Sequence, residues 1–408
     1  MNILVVCQHF YPETFRINDI CTDLVKRGHK VSVLTGIPNY PTGKIFDGYE
    51  NCFEKTWDYH GVSVYNTDII PRGNSKKQLI LNYFSFWFKG SKKAKKLAKS
   101  EKFDCVFVYQ LSPVFMAFPG IKVSKKQKIP MYTYVLDLWP ESLAEMTGIR
   151  SGPIFSYIKH LTKKVYKASK KILITSESFK DSIIDTGIDP GKIIFWPQYA
   201  EDFYKPVTVS DDDAVCKELP EGFKIIYTGN FGEAQKLETA IEAAAVTAEC
   251  CPDIQWVFMG GGRDEAHIRN KAEELGLVNK NIFFIGRKPA EEVCKYLSLC
   301  DAALLILKDM PLLNITLPAK IQSYFACGIP VIASCSGEGA KVIEDSGAGL
   351  ACKAENPKKL AEIAISMYNK KDDERNTMKE KALSYFEENY KKEKLMDLLE
   401  EVIEKYEL

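Results

Sequence analysis

No apolar run among the 408 residues approaches the roughly 20 that a helix needs to span a bilayer, so the sequence offers no candidate membrane span. The twelve cysteines include no Cys-x-x-Cys pair, and the five histidines (9, 29, 60, 160, 267) are scattered. That pattern excludes a zinc cluster, and no metal is expected. Cys7, Cys105, Cys327 and Cys335 sit in or beside apolar runs, where cysteine behaves as a small hydrophobe. No secretory leader opens the chain, so reduced thiols in a cytoplasm are the expectation. A Gly-x-Gly-x-x-Gly fingerprint is missing from the first βα turn, where residues 8–17 read QHFYPETFRI. A dinucleotide cofactor is therefore not expected there, nor any other cofactor. No Ser/His/Asp spacing, carboxylate metal cluster or low-complexity tract is present.

What the chain does have is length and an uneven charge. Its 408 residues suit two domains. The net charge is +1, yet residues 1–200 hold 29 Lys and Arg against 17 Asp and Glu, and the remainder holds 26 against 37. A basic half is joined to an acidic half.

Short apolar runs alternate with helical periodicity along both halves. Strands are predicted at 3–7, 31–35, 62–65, 105–109, 131–136, 172–175 and 193–196, with helices near 18–26, 76–99, 114–123, 154–169 and 178–186. The polar, acidic stretch 198–222 reads as a linker. The pattern restarts with strands at 224–228, 255–259, 282–285, 302–307, 331–333 and 350–352, and charged helices 357–389 and 391–407 close the chain. This predicts an α/β protein of two Rossmann-like parallel-sheet domains, 1–200 and 201–390, with 391–408 crossing back to the first. Ligands of such sheets sit at the carboxyl ends of the strands, here in the cleft between the domains.

Several strand ends carry residues suited to an anion. Leu317–Ser334 (LPAKIQSYFACGIPVIAS) predicts a helix starting near Pro318, capped by Gly328 and followed by a strand, with Lys320 beside its positive end. Thr228-Gly229-Asn230-Phe231-Gly232 follows a strand, and Lys236 starts the next helix. Glycines admit a close backbone approach, and a nearby Lys fits a phosphate. Gly260-Gly261-Gly262-Arg263 and Gly286-Arg287-Lys288 also follow strands, with Asp264 predicted as an N-cap. Each alone is equally an ordinary βα turn. In the first half, Asp137 after the strand 131–136 could contact sugar hydroxyls or assist proton transfer, or cap the next helix. His9 in the first loop reads as structural.

The strongest surface feature is 76–102, with nine lysines against one acidic residue and with Leu79, Ile80, Leu81, Tyr83, Phe84, Phe86, Trp87 and Phe88 between them. Lys76, Lys77, Lys92 and Lys93 around Phe84, Trp87 and Phe88 suit an anionic membrane surface, lying in the interface. Nucleic acid is the rival, disfavoured by the aromatics; a solvated helix with a buried aromatic face is the plain alternative.

Taken together, HFYPETFRIND (9–19), RGHKVSVLTGIPNYPTGKIFDGY (27–49), YVLDLWPESL (134–143), YTGNFGEAQKLETAIEAA (227–244), MGGGRDE (259–265) and LPAKIQSYFACGIPVIAS resemble retaining GT-B glycosyltransferases of bacterial surface-polysaccharide pathways. The likeness runs through nearly the whole chain and is nearest to the branch with N-acetyl-fucosamine transferases. It implies a GT-B fold and a nucleotide-diphospho-sugar donor, usually UDP-linked, held mainly by the second domain. Gly229, Asn230 and Gly232 would lie near the diphosphate, the Gly286 region near the base, and Thr316–Lys320 at the donor phosphates, with Ile315 and Ser323 also counted among the nucleotide-sugar-binding positions. Arg16 and Asn18 would help close the cleft. Catalysis would use no metal, with Lys236 and Lys320 stabilising the leaving diphosphate and Asp137 contacting the sugar. The sugar is expected to be an N-acetylated hexosamine or deoxyhexosamine. The acceptor would be a lipid-linked sugar, placing the enzyme peripherally on the inner face of the cell membrane. Two departures stand out: Ser323 and Ile315 occupy positions where the family commonly has glutamates. Glu233 also stands where relatives carry a basic residue. The departures keep open a non-catalytic nucleotide-sugar-binding partner, and the architecture is shared with sugar-nucleotide epimerases.

Overall fold

A computed structural model of the chain describes residues 1–73 and 75–405. It divides into two compact units. The first comprises Met1–Thr175, Phe179–Trp196 and the described chain from Met396; the second comprises Ser176–Ser178 and Pro197–Leu395.

The first unit holds an eight-stranded sheet in the order β3-β4-β2-β1-β5-β6-β7-β8. Its strands are β1 (Asn2–Val6), β2 (Lys30–Gly36), β3 (Trp57–Tyr59), β4 (Val62–Thr67), β5 (Cys105–Gln110), β6 (Met131–Val135), β7 (Lys171–Ile174) and β8 (Ile193–Phe195). All neighbours are parallel except β3 and β4. The central strands β1, β5 and β6 are buried nearly end to end, as expected where helices cover both faces of a parallel sheet. Between them run α1 (Ile17–Lys26), α2 (Lys76–Ser85), α3 (Ser91–Ser100), α4 (Phe118–Gln127), α5 (Glu141–Thr147), α6 (Pro153–Ala168) and α7 (Phe179–Ile184). In α1, Ile17, Ile20, Cys21 and Leu24 form the buried stripe that the 3.6-residue period dictates.

The second sheet is parallel throughout, in the order β11-β10-β9-β12-β13-β14. Its strands are β9 (Phe223–Asn230), β10 (Ile254–Gly261), β11 (Ile282–Gly286), β12 (Ala302–Ile306), β13 (Val331–Ser334) and β14 (Gly349–Cys352). Its helices are α8 (Ala214–Glu218), α9 (Glu238–Cys250), α10 (Glu265–Glu274), α11 (Val293–Ser298), α12 (Pro311–Ile315), α13 (Lys320–Ala326), α14 (Glu338–Ser346), α15 (Pro357–Tyr368) and α16 (Asp372–Asn389). The last helix, α17 (Lys392–Lys405), contributes its part from Met396 to the first unit. There the Tyr132 hydroxyl donates to the Ile403 carbonyl (3.0 Å), and Arg27 pairs with Glu400 (2.7 Å). Residues 406–408, included in the crossing segment expected from the sequence, lie outside the described residues.

Local structure departs from expectation in several places. The helix predicted over 76–99 is α2 and α3 joined by a π turn, Phe86–Gly90. That turn keeps Phe86 wholly buried while Trp87 and Phe88 stack in parallel, with centroids 5.2 Å apart. The charged helix predicted over 357–389 is broken between α15 and α16. Asp264 accepts no capping hydrogen bond. The helix expected from Pro318 begins only at Lys320, although Ile321, Tyr324 and Phe325 are buried and Gly328 takes the left-handed cap at φ +63° as predicted.

Candidate functional site

β9 and β10 run on together past the point where side chains would collide. Gly229 (φ +135°) pairs with Gly260 (φ +146°), and a Cβ on Gly260 would lie 1.8 Å from the Gly229 carbonyl. Glycine is therefore required there by backbone meeting backbone. A Cβ on Gly229 would lie 2.8 Å from Lys320 Cε and 3.1 Å from its Nζ, so the missing side chain makes room for that lysine. The two strand ends form the wall of a cavity of about 390 Å³. Asn230, Gly261, Arg287, Lys288, Lys320 and Ser323 line it, with Tyr204, Thr228 and Tyr324.

Lys320 is the cation of this cavity. Its Nζ lies 4.9 Å from the centre of the Tyr227 ring, and among the described residues no carboxylate pairs with it. Burial pushes its ammonium down to about 8, since a charge removed from water without a partner is disfavoured. Tyr227 donates to the Asn230 carbonyl (2.6 Å), and the Tyr324 hydroxyl contacts Thr228 Oγ1 (3.2 Å), fixing the floor. Arg287 donates to the Gly261 carbonyl at 3.1 Å. Lys288 also lines the cavity, but Glu218 holds it in an ion pair (2.6 Å), and that bond raises the lysine and lowers the carboxylate. A cavity walled by strand-end backbone, with one uncompensated ammonium and one guanidinium, suits a diphosphate.

Not every predicted residue comes to this cavity. Lys236 and Gly232 line a separate cavity of about 90 Å³ with Glu233, Glu238 and His267. Lys236 stands at φ +46° and pairs with Glu238, which also bonds His267 and is drawn down to about 2. Its charge is already spent. Ile315, Thr316, Leu317 and Pro318 do not line the main cavity. The Ile315 carbonyl accepts from Ser176 Oγ (2.6 Å), Thr316 Oγ1 donates to Leu312, and Leu317 is buried. Gly286 (φ +81°) turns the chain out of β11 and is also absent from the lining.

In the first unit, Asp137 Oδ2 accepts from the Ser112 N–H (2.8 Å), and Trp139 Nε1 donates to Ser112 Oγ (3.0 Å). Asp137 therefore braces the loop after β5; α5 starts at Glu141 without a side-chain cap. Asn18 Nδ2 donates to the Glu13 carbonyl (2.7 Å), and Arg16 lies close enough to Tyr109 to oppose the upward push of burial on its hydroxyl. Sequence reasoning missed Glu13. Its buried carboxylate accepts from the Asn39 and Tyr40 N–H groups (both 2.7 Å) and meets His9 Nδ1 at 2.9 Å. The His-x-x-x-Glu spacing was its only local signal. Tyr204, inside the stretch read as a linker, was missed in the same way.

The basic aromatic stretch is divided by the fold. Phe84 and Phe88 are 38% and 63% exposed, Trp87 is half-buried, and Lys76, Lys77 and Lys92 face solvent. Lys93 does not: its Nζ donates to the carbonyls of Phe53 (3.0 Å) and Asn66 (2.8 Å), and burial lowers its pKa. It is an internal staple rather than a surface charge. Among the described residues no helix is long and apolar enough to cross a membrane, and no three His, Cys, Asp or Glu side chains converge as metal ligands.

Comparison with known proteins adds the family. The model of the family described as glycosyltransferase family 4 matches residues 16–198, and that of glycosyl transferases group 1 matches 212–384. The putative colanic acid biosynthesis glycosyl transferase WcaI of Escherichia coli K12 is 24% identical over 347 residues, 80% of this chain and 82% of that protein. A GDP-mannose-dependent monoacylated α-(1-6)-phosphatidylinositol monomannoside mannosyltransferase of Corynebacterium glutamicum is 28% identical over 176 residues, 40% of this chain and 43% of that one. Among solved structures, Anabaena Alr3699/HepE in complex with UDP superposes with a TM-score of 0.73 at 14% identity, covering 99% of this chain and all of that one. The two family models lie end to end across the two units, and the chain is a glycosyltransferase of the group 1 and family 4 type, built on the GT-B fold.

Proposed function

We propose that the protein is a retaining glycosyltransferase that moves an N-acetylated hexosamine or deoxyhexosamine from a UDP-sugar to a lipid-linked acceptor in surface-polysaccharide synthesis. The observation that carries the donor site is Lys320: a desolvated ammonium without a carboxylate partner, under the glycine-walled end of β9 and β10. The donor diphosphate lies against Gly229 and Asn230. Lys320 and Arg287 then supply positive charge to the oxygen that becomes anionic as the glycosidic bond to the diphosphate breaks. Preorganised charge of this kind acts most strongly in a site that excludes water. The uridine assignment is supported by HepE, whose solved complex contains UDP, and the pathway by the name given to WcaI. Asp137 acts by bracing the loop at Ser112, on the side assigned to the acceptor.

The exposed Phe84 and Phe88, with Trp87 beside them and Lys76, Lys77 and Lys92 around them, support peripheral attachment to the anionic inner face of the cell membrane, where a lipid-linked acceptor resides. A second reading, a non-catalytic nucleotide-sugar-binding partner, is favoured by Ser323, which lines the cavity at a position where a glutamate is common in the family. Incubation with UDP-N-acetylhexosamines and membrane extract separates the two. Acceptor-dependent UDP release is expected from the enzyme. Donor binding without release would establish the partner reading.

A further inference from the structure

A second charge arrangement, on the first unit, has no part in donor binding. α3 and α4 pack side by side, and the groove between them is lined by seven lysines: Lys92, Lys95, Lys96 and Lys99 from α3, Lys122, Lys125 and Lys126 from α4. The sequence builds it simply. α3 buries Ala94, Leu97 and Ala98, α4 buries Ile121 and Val123, and lysines at i, i+3 and i+4 fill the adjoining stripes. Like charges at these spacings repel. Among the described residues, none of the seven is paired with a carboxylate. In the second unit, by contrast, Lys295 is paired with Asp213 (2.7 Å) and Lys308 with Glu233 (2.8 Å). In the groove, Lys126 Nζ donates to the Lys95 carbonyl (3.1 Å), and desolvation together with the charges of Lys99 and Lys102 lowers its pKa.

Within the first unit, the groove also lies away from the carboxyl ends of the sheet. α3 ends at Ser100, shortly before β5 begins at Cys105, and α4 ends at Gln127, shortly before β6 begins at Met131. It therefore lies towards the amino ends of the strands, whereas substrates of such sheets sit at the carboxyl ends.

We propose that the α3–α4 groove is a binding site for an anion carrying two or more clustered phosphates, distinct from the donor cavity. Seven flexible point charges on facing stripes can surround several phosphates of one molecule, and one phosphate would leave most of them uncompensated. The ligand chemistry is available from the headgroup of a two-phosphate lipid or from a soluble polyphosphate. This goes beyond membrane attachment through Phe84 and Phe88, which is indifferent to how the phosphates are grouped.

The test uses the full chain in a Lys320→Met background, so that the donor cavity does not take the probe. Inorganic triphosphate is titrated by calorimetry, and binding to phosphatidylcholine vesicles containing cardiolipin is compared with vesicles containing phosphatidylglycerol at matched total phosphate. The quadruple variant Lys95→Gln/Lys99→Gln/Lys122→Gln/Lys126→Gln is measured alongside, with the double variant Lys95→Glu/Lys122→Glu as a second disruption should the first unfold. The expected result is triphosphate binding or a cardiolipin preference that both variants weaken at least about tenfold. A cardiolipin preference identifies a lipid source, and triphosphate binding without it a soluble one. Absence of both, or variants that retain them, would overturn the proposal.

Discussion

Two lysines, Lys236 and Lys320, look alike in the sequence: each stands near the start of a predicted helix in the second unit. The fold treats them oppositely. Lys236 pairs with Glu238 beside His267, so its positive charge is neutralised before any ligand arrives. Lys320 lies under Gly229 over the Tyr227 ring, with its charge uncompensated and costly. A cation serves an anionic ligand when the protein has left it unpaired, and proximity to a glycine loop does not decide that.

The largest expected effect breaks the comparison directly. Lys320→Ala should lower donor-dependent UDP release by about 10²–10³-fold, the range for removing one preorganised charge-stabilising group. Lys236→Ala should stay within about threefold. Equal losses in purified, folded variants would erase the distinction.

Next comes the wall between the strands. Gly260→Ala places a methyl group against the Gly229 carbonyl in a strained conformation, and should destabilise the protein by roughly 3 kcal/mol. Gly286→Ala, whose Cβ would meet open space at φ +81°, should cost only about 1 kcal/mol. Chemical denaturation of the two variants ranks them.

Acidity sharpens the comparison further. The folded pKa of Lys320, about 8, lies below its ordinary 10.5. The unfolded chain thus binds more protons between those values, and the penalty of the buried ammonium is fully present below pH 8 and is relieved as pH rises towards 10.5. Lys320→Met should therefore be the more stable protein at pH 7, by on the order of 2–3 kcal/mol, with the gain fading towards pH 10.5. Lys236, raised by Glu238, predicts no gain on substitution. UDP binding above pH 8 should be accompanied by proton uptake, visible as a dependence of calorimetric enthalpy on buffer. A buffer-independent enthalpy at pH 9 would contradict the assignment.

The smallest effect on stability is expected in the first unit. Phe88→Ser should shift stability by less than about 0.5 kcal/mol while weakening binding to anionic vesicles, because the ring is mostly exposed. Phe86→Ala, two residues away and wholly buried, should cost about 3–5 kcal/mol.

Much of the scaffold was legible because parallel strands buried on both faces leave continuous apolar runs such as ILVV and CVFVYQ. The glycines at 229 and 260 were legible as strand-end signals, although the reason for Gly260 is the neighbouring backbone rather than a ligand. The pairing of Lys236 with Glu238 was not legible, because Lys236 takes a left-handed turn that spacing does not reveal. The π turn at Phe86–Gly90 sets Trp87 at a tilt against Phe115 and Phe118, contacts that only the fold brings together. Lys93 read as one more surface lysine because its acceptors, the carbonyls of Phe53 and Asn66, are remote in sequence. Glu13 was hidden for the same reason, its partners at 39 and 40 being brought to it by the loop after β2.

The most direct test of the central claim is the affinity for UDP of the wild-type protein, Lys320→Met and Lys236→Met, measured by calorimetry at pH 7. The cavity under Gly229 as the diphosphate site predicts a loss of at least about 30-fold for Lys320→Met and less than about threefold for Lys236→Met. Unchanged affinity in Lys320→Met, with the loss falling on Lys236→Met, would contradict it.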